Sequence, residues 1–408
     1  MSTIAFTNAR VFDGFHEQCP EGMNVLVEKH VIREVTDKPV KAERTIDCGG
    51  RTLMPGLIDA HFHAYACDVS IAKIDRIGAP YRTAHAVKAL GHALASGFTT
   101  VRDVGGGDWS LWKALEDGLI EGPRFFYSGK ALSMTGGHGD FRTQEDEASL
   151  CGCHGAESLC HVADGVDECI RATREELRRG AHVIKIMGSG GVASPTDPIW
   201  MNQYREDEIR AIVGEAVERR AYVTAHCHPA SAVRRCVEFG VRSIEHGTLI
   251  DEETARFVAA KGAFIVPTMA TIFALKEAGP RLGFPRVSQE KMEVAFASAL
   301  SGMDLMRQAG VKIGLGTDLL GELYVQECRE FTLRSDVFTP VEILRQATSN
   351  NAEMMQMKGQ LGTIAPGAFA DLLVVDGDPL ADIGVIAADG KTLRAVVKNG
   401  ALIRNDLR

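Results

Sequence analysis

The sequence lacks the features that mark membrane, secreted or nucleic-acid-binding proteins. No stretch of its 408 residues approaches the ~20 apolar residues that a membrane-spanning helix needs. Lys and Arg number 45 against 54 Asp and Glu, so the positive charge that binds nucleic-acid phosphates is missing. The first residues contain neither the basic nor the apolar region of a secretory signal. We therefore expect a cytoplasmic protein with no membrane and no nucleic-acid partner.

The 10 cysteines lack the compact spacing of a disulfide framework. The segment CGCHGAESLCH, residues 151–161, could be interpreted as a zinc knuckle because it adds His154 and His161 to Cys151, Cys153 and Cys160. Structural zinc sites usually consist of two close ligand pairs separated by about a dozen or more residues, and this segment is shorter. We interpret it as a surface loop near an entrance.

Short apolar segments alternate with amphipathic helical stretches over most of the chain, a pattern typical of a parallel α/β fold. Strands are predicted near residues 57–63, 98–103, 124–132, 182–187, 221–228, 242–246, 263–269 and 311–318. Eight such units predict a (β/α)8 TIM-type barrel over residues 56–359. The chemistry of such a barrel takes place at the C-terminal ends of its strands.

The two ends of the chain depart from this alternation. Residues 1–55 and 360–408 have the pattern of β-hairpins with Asn-Gly or Asp-Gly turns, as in VKNGALIRN near the C-terminus. Because both segments flank the barrel, we expect them to pair into one small β-sandwich domain beside it.

Histidines and an aspartate follow the predicted strands at the end where a barrel performs its chemistry. His61 and His63 close the first strand, and strand alternation puts both side chains on one face. His226, His246 and Asp318 follow the fifth, sixth and eighth strands. Imidazole and carboxylate groups at one rim indicate a divalent metal site; we expect zinc, although manganese or cobalt would also suit these ligands.

One lysine interrupts a strand that is otherwise apolar. Lys185 lies within HVIKIMG, residues 182–188, where a buried ammonium is costly without a partner. Ion pairing with a nearby Asp or Glu is one explanation for this residue.

Taken in order, the segments GLIDAHFH, KIMGSGG, TAHCH, SIEHGT and GTD resemble the metal-dependent amidohydrolase superfamily over essentially the whole chain. The resemblance implies two metal ions bridged by a lysine carbamate that forms with carbon dioxide. Its ligands would be His61, His63 and Asp318 for one ion, His226 and His246 for the other, and Lys185 for the bridge. A hydroxide between the ions would attack an amide carbonyl, with Asp318 acting as general base and then as general acid.

Three further segments narrow the resemblance. MTGGHGD, GSGGVASPTDPIWMNQY and GTDLLGELYVQECREF are similar to a branch with prolidase-like dipeptidases, arginine-type carboxypeptidases and ochratoxin-hydrolysing amidases. In that branch the histidine of the GGH loop, here His138, contacts the substrate at the metals. We expect further substrate contacts from His228, Tyr204 and Arg142, and a lid over the pocket from the SPTDPI loop. His228 is typical of arginine-releasing members, whereas prolidase-like members often carry tyrosine there.

These features predict an amidohydrolase whose small-molecule substrate is a dipeptide, Xaa-Pro above all, or an N-acyl amino acid. A carboxypeptidase that releases Arg or Lys is an alternative, since Glu322 and Glu327 could neutralise a basic leaving group. A lactonase or cyclic amidase could use the same metals. A non-catalytic scaffold is the alternative outside enzymes, although such a protein would be expected to have lost ligands. The resemblance also implies a homo-oligomer.

Overall fold

The computed structural model of the chain describes residues 3–146 and 158–407. Its strands are β1 (Thr3–Val11), β2 (Met23–Glu28), β3 (Val31–Thr36), β4 (Arg44–Asp47), β5 (Thr52–Pro55), β6 (Leu57–Phe62), β7 (Phe98–Asp103), β8 (Arg124–Tyr127), β9 (Ala131–Ser133), β10 (Cys160–Val162), β11 (Val183–Met187), β12 (Tyr222–Pro229), β13 (Ser243–Leu249), β14 (Phe264–Val266), β15 (Lys312–Ile313), β16 (Leu372–Val375), β17 (Leu393–Lys398) and β18 (Ala401–Asn405).

The helices alternate with the central strands. They are α1 (Ile71–Ile74), α2 (Ala79–Ala95), α3 (Trp109–Glu116), α4 (Val166–Arg178), α5 (Glu206–Glu218), α6 (Ala230–Glu238), α7 (Glu252–Lys261), α8 (Met269–Ala278), α9 (Arg286–Gln308), α10 (Arg329–Arg334), α11 (Pro340–Arg345) and α12 (Asn351–Met354). Short 3₁₀ segments span Gly321–Gln326 and Ile383–Val385, and Gln346–Asn350 forms a π-helical turn. Among the described residues, no helix is both long and apolar enough to cross a bilayer.

Local sequence explains where these helices begin and end, as α7 illustrates. The side chain of Asp251 accepts a hydrogen bond from the Thr254 N–H at 2.8 Å, which caps the first turn. The helix ends at Gly262, whose positive φ of 68° suits glycine. Between these two caps, Ala255 and Val258 are buried against the core.

Each of the eight central segments predicted as strands contains a strand, and these strands run parallel. One sheet has the order β6-β7-β8, and another has the order β10-β9-β11-β12-β13-β14-β15. Hydrogen bonds join the two sheets along both edges, from His182 N to Tyr127 O at 2.9 Å and from Ala60 N to Leu315 O at 3.0 Å. The C-terminal ends of the strands therefore face one rim.

Two of the predicted strands differ from expectation. The third, expected over 124–132, divides into β8 and β9 around Gly129, which has a positive φ of 70°. The eighth is regular only at Lys312–Ile313. Beyond it the Asn351 side chain replaces a strand partner, since its Nδ2 donates to the carbonyls of Ile58 and Leu315, both at 2.8 Å.

Strands from the two ends of the chain form an eight-stranded sheet of order β18-β17-β16-β5-β1-β2-β3, with β4 paired to β1. β1 bends at Asn8, where φ is 53°, so that its first half pairs with β2 and its second half with β5. The two halves of the sheet share a core that includes Phe6, Val25, Leu53 and Val397. Both ends of the chain thus contribute to one unit with its own core.

The segment predicted as an entrance loop is only partly described. Cys151, Cys153 and His154 lie outside the described residues. Cys160 and His161 belong to β10, which pairs with β9, so this part of the segment is a strand rather than a loop.

Replacing Asn351 by alanine should lower stability by about 2–4 kcal/mol, because buried backbone groups of β6 and of the segment after β15 lose their hydrogen-bond partners. The matched control is Asn350→Ala, which removes one bond to Ile313 O and should cost about 1 kcal/mol. The measurement is the urea unfolding midpoint of each variant. Equal midpoints would contradict the assigned role of Asn351.

Candidate active site

The polar residues of the central strands and of the segments that follow them meet in one cavity. Those predicted from the sequence that line it are His61, His63, His138, Lys185, His226, His228, His246 and Asp318. All of them except His63 and Asp318 are almost fully buried. The strand ends thus bring together residues that are up to 257 positions apart in the chain, from His61 to Asp318.

Three donor atoms converge at the ends of β6 and β15. His61 Nε2 lies 3.3 Å from His63 Nε2 and 3.3 Å from Asp318 Oδ1, and His63 Nε2 lies 3.1 Å from the same oxygen. Ligands about 2.0–2.1 Å from a tetrahedral zinc ion are separated by about 3.3 Å. The three atoms therefore match the spacing that one zinc ion requires.

A buried carboxylate orients His61. Glu245 Oε2 accepts a hydrogen bond from His61 Nδ1 at 2.7 Å, which leaves Nε2 directed at the convergence point. Glu245 Oε1 accepts from Arg102 Nη2 at 2.6 Å and from the Thr224 hydroxyl. Burial alone would raise the pKa of Glu245, but Arg102 and His61 hold it well below its usual range. Glu245 is therefore ionised and fixes the tautomer of His61.

Asp59 and Asp103 hold the backbone around the same donors. Asp59 accepts hydrogen bonds from His61 N at 2.9 Å and from Thr317 N at 3.1 Å, which ties β6 to the residue before Asp318. Asp103 accepts from Ala64 N at 2.7 Å and from two N–H groups of the glycine turn after β7.

A second group of donors comes from β11, β12 and β13. His246 Nδ1 contacts the Thr268 hydroxyl at 2.7 Å, so its Nε2 is the nitrogen left for the cavity. His226 has the opposite arrangement, since its Nε2 lies 3.4 Å from the Gly190 carbonyl and its Nδ1 is left. The two imidazole rings are 4.6 Å apart between centroids.

Left-handed backbone conformations aim several of these side chains. His246, Thr268 and Asp318 have φ values of 73°, 45° and 54°. Such values are uncommon outside glycine, and they occur most often where function requires a particular side-chain direction.

Lys185 is buried at the centre of this arrangement. Within residues 3–146 and 158–407, no hydrogen bond or ion pair joins its ammonium to another group, although Glu245 and Asp318 act on it electrostatically. Burial lowers the pKa of the Lys185 amine, and those two carboxylates oppose the shift. The described part of the chain therefore contains no ion-pair partner for Lys185, which argues against the ion-pairing explanation.

His138 and His228 extend the cavity on the far side of His226. His138 stacks on His226 with centroids 4.0 Å apart, and its Nδ1 lies 2.7 Å from the Ser194 hydroxyl. His228 Nδ1 lies 2.6 Å from the Thr248 hydroxyl. Burial, with His138 nearby, lowers the pKa of His228 to about 3, so this imidazole is neutral at physiological pH.

The structure does not bring the other predicted contact residues to the cavity. Tyr204 is buried in the core, where burial and the neighbouring Cys169 raise the pKa of its phenol. Arg142 turns back onto Asp140 in a two-pronged ion pair, with N–O distances of 2.7 and 2.6 Å. Glu322 pairs with Arg281 at the surface, and Glu327 is buried against Asp59. None of these four side chains lines the cavity.

Sequence reasoning also missed residues that support the site. Arg102 and Glu245 are charged residues inside the buried strands β7 and β13, the same signal that drew attention to Lys185. That signal could have identified both. Phe141, Phe284 and Met292 line the cavity from loops and from α9, where nothing in the sequence pattern predicts their direction.

Comparison with known proteins agrees with this geometry. Residues 52–403 match the model of the amidohydrolase family. An ochratoxinase from Aspergillus niger is 33% identical over 365 residues, covering 86% of this chain and 75% of that protein. A crystal structure of a prolidase complexed with N-methylphosphonate-L-proline superposes with a TM-score of 0.96 at 44% identity, covering 99% of this chain and 100% of the other. A Xaa-Pro dipeptidase with bound methionine gives a TM-score of 0.89 at 28% identity, covering 99% and 100%.

Replacing Glu245 by glutamine should weaken divalent metal binding by about 10- to 100-fold, because His61 loses the carboxylate that orients it. The matched control is Glu330→Gln, since Glu330 is equally buried and pairs with Arg334 at 2.7 Å away from the cavity. Both changes leave a buried guanidinium without its carboxylate and should cost about 3–5 kcal/mol of stability. Competition with a metal chelator measures the affinities, and equal affinities for the two variants would rule out the orienting role.

Proposed function

This chain belongs to the amidohydrolase family, and we propose that it uses two metal ions to hydrolyse the amide bond of an N-acyl amino acid or a Xaa-Pro dipeptide. Family membership, predicted from the sequence segments, is confirmed, and it makes the chain a hydrolase of amide or peptide C–N bonds. The observation that carries the finer proposal is the convergence of six histidines, one aspartate and one lysine in a cavity whose other walls are largely apolar.

We propose that the eight central strands close into one barrel over residues 56–359. The hydrogen bonds that join β8 to β11 and β6 to the segment after β15 support closure. The sheet built from residues 1–55 and 360–408 would be the separate β-sandwich domain, and the core shared by its two halves supports that assignment.

The residues present suit two divalent ions, most simply zinc. His61, His63 and Asp318 would hold one ion, His226 and His246 the other, and Lys185 would bridge them. The bridge requires the Lys185 ammonium to lose one proton to water, after which the neutral amine attacks carbon dioxide. This attack forms an N–C bond, opens one C=O π bond and releases a second N–H proton to water. The product is an anion in place of a buried cation without a partner, which is why we assign a carbamate here. When bound, the ions would polarise the substrate carbonyl and lower the pKa of a water molecule.

The protein's own groups would move the protons. One carboxylate oxygen of Asp318, Oδ1, faces His61 and His63, which leaves the other to accept a proton from the attacking water. Asp318 would then give this proton to the departing amide nitrogen. The Ser194 hydroxyl can donate to His138 Nδ1, so that His138 Nε2–H can hydrogen-bond the oxygen on which negative charge develops.

The cavity walls disfavour a charged side chain on the released amino acid. Beyond the histidines, the lining is apolar and includes Ile71, Phe141, Leu275, Phe284, Met292 and Leu320. Lys185 and Asp318 are the charged side chains among the described lining residues, and both are assigned to the centre. A basic leaving group would therefore bury its charge without a partner, which costs several kcal/mol. Neither Glu322 nor Glu327 is placed to offset this cost, so release of Arg or Lys is disfavoured.

Two expectations about the protein's setting stay predictions. One is a cytoplasmic location, and the other is assembly as a homo-oligomer.

A substrate panel tests the proposed reaction. We expect kcat/KM for N-acyl-L-proline and for Leu-Pro to exceed that for Leu-Arg by at least about 100-fold, because the cavity offers no partner to a second cation. Asp318→Asn serves as the chemical control and should lower kcat by about 10²- to 10⁴-fold. Activity confined to lactones or phosphotriesters would overturn the amide assignment, and a preference for Leu-Arg would overturn the substrate class.

Replacing Lys185 by alanine should lose most of the bound metal and the activity together, since the bridging anion is removed. The wild-type chain should hold about two ions, measured by elemental analysis after reconstitution with zinc and bicarbonate. Acetate should restore part of both properties to the alanine variant, because a small carboxylate can occupy the space of the carbamate. A variant with full metal content and full activity unaided would exclude the bridge, and a metal-free wild-type chain would support the scaffold alternative.

A further inference from the structure

The segment between β11 and α5 covers one side of the cavity. We refer to residues 190–197 as the 190–197 loop. Val192 and Ala193 of this loop line the cavity, and Ser194 contacts His138. No regular helix or strand forms within the loop, and side-chain contacts hold its shape. Within the loop, Asp197 Oδ2 accepts from Gly191 N at 3.0 Å, and further support comes from outside it.

Lys291 on α9 supplies that support. Its Nζ donates to the carbonyl oxygens of Gly191, Ser194 and Asp197 at 3.0, 2.8 and 2.6 Å. An ammonium has three N–H bonds, so these three contacts use all of them. The Lys291 side chain is only 13% exposed, and the nearest carboxylate oxygen, Asp197 Oδ1, is 3.7 Å away. The next residue on α9, Met292, lines the same cavity.

The loop that Lys291 holds is connected to His138 through three further contacts. Ser194 Oγ lies 2.7 Å from His138 Nδ1, and Asp197 Oδ2 lies 3.5 Å from the same nitrogen. Gln203 links the two segments, since its Oε1 accepts from His138 N at 2.9 Å and its Nε2 donates to Asp197 Oδ2 at 3.2 Å. The imidazole of His138 therefore depends on the position of this loop.

Gly191 shows how closely the loop backbone approaches the rings of His138 and His226. A Cβ at this position would lie 2.3 Å from His138 Cε1 and 2.5 Å from His226 Nε2. The loop backbone therefore lies directly against both rings. A small displacement of the loop would open space around His138 and His226 together.

We propose that Lys291 is a positioning residue that anchors the 190–197 loop against the cavity and thereby fixes the orientation of His138. Lys291 belongs to α9, and its ammonium is directed at the loop carbonyls rather than into the cavity. The effect on turnover rests on the proposed function, in which His138 stabilises the developing oxyanion. The anchoring itself depends only on the contacts described above.

Hydrogen–deuterium exchange on the metal-loaded protein tests the anchoring. Lys291→Met keeps the length of the side chain and removes its three donors. It should raise exchange at residues 189–203 by about tenfold or more and leave β6 and β13 unchanged. Lys276→Met is the matched control, since Lys276 lies on α8 and pairs with Glu293 at the protein surface. Unchanged exchange over 189–203 in Lys291→Met would overturn the proposal.

Kinetics test the link to His138. The kcat of Lys291→Met, expressed per metal-loaded chain, should be about 10- to 100-fold lower than that of the wild type, because misplacement of a catalytic group by about 1 Å has an effect of this size. If Lys291 acts through His138, the double variant Lys291→Met, His138→Asn should be no slower than His138→Asn alone. Multiplied losses in the double variant would show that Lys291 acts elsewhere and would overturn the link. Lys291→Gln keeps two donors on a shorter side chain. It replaces Lys291→Met in the same comparison of single and double variants should the methionine variant not fold.

The two measurements also separate this inference from the proposed function. If the wild-type protein hydrolyses no amide in the panel, the proposed function fails, and the exchange experiment still decides whether Lys291 anchors the loop. If the wild type is active and exchange rises in Lys291→Met without any fall in kcat, the anchoring stands and the positioning of His138 is refuted.

Discussion

The buried ion pair between Arg102 and Glu245 is the interaction on which the arrangement of the candidate centre depends. Both side chains are fully excluded from solvent, and a charge in such a place is tolerated only with a partner and satisfied hydrogen bonds. Arg102 meets this requirement through Glu245, Ala60 O, Tyr222 and Ser243, which belong to the three strands β6, β12 and β13. Glu245 then directs its second oxygen to His61. The position of His61 is thus coupled to β7, β12 and β13 as well as to β6.

The remaining histidines follow the same rule with weaker partners. His246, His228 and His138 each place one ring nitrogen against a hydroxyl group, from Thr268, Thr248 and Ser194. A hydroxyl fixes the ring without adding charge, and burial lowers the pKa of His246 and His228, which keeps these two imidazoles neutral. The carboxylate of Glu245 holds His61 at 2.7 Å, and His138 has the Asp197 carboxylate at 3.5 Å beside its hydroxyl partner. Near the candidate metal donors, the negative charge is carried by Glu245 and Asp318 and, in the proposed carbamate, by Lys185.

Much of this site could be predicted from the sequence, because side-chain alternation is a local property of a strand and parallel strands direct their C-terminal ends to one rim. His61 and His63 share a face for that reason. His226 and His246 lie within β12 and β13 rather than after them, and Asp318 lies five residues beyond β15, yet all three reach the same cavity. Tyr204 and Arg142, expected as substrate contacts, do not line the cavity, because the sequence of a loop does not fix the direction of its side chains. Arg102 and Glu245 carried a visible signal, a charge within a buried strand. Lys291 carried none, because a lysine on an amphipathic helix is ordinarily a solvated residue.

The contrast between the centre and its walls bears on specificity. The centre concentrates polar groups at the strand ends, whereas the walls come from loops and from α8 and α9 and are apolar. The centre would act on any amide that reaches it, so discrimination between substrates must come from the walls. Apolar walls reject a charge more strongly than they distinguish one apolar group from another. We therefore expect selection against charged side chains on the substrate and tolerance of different apolar groups.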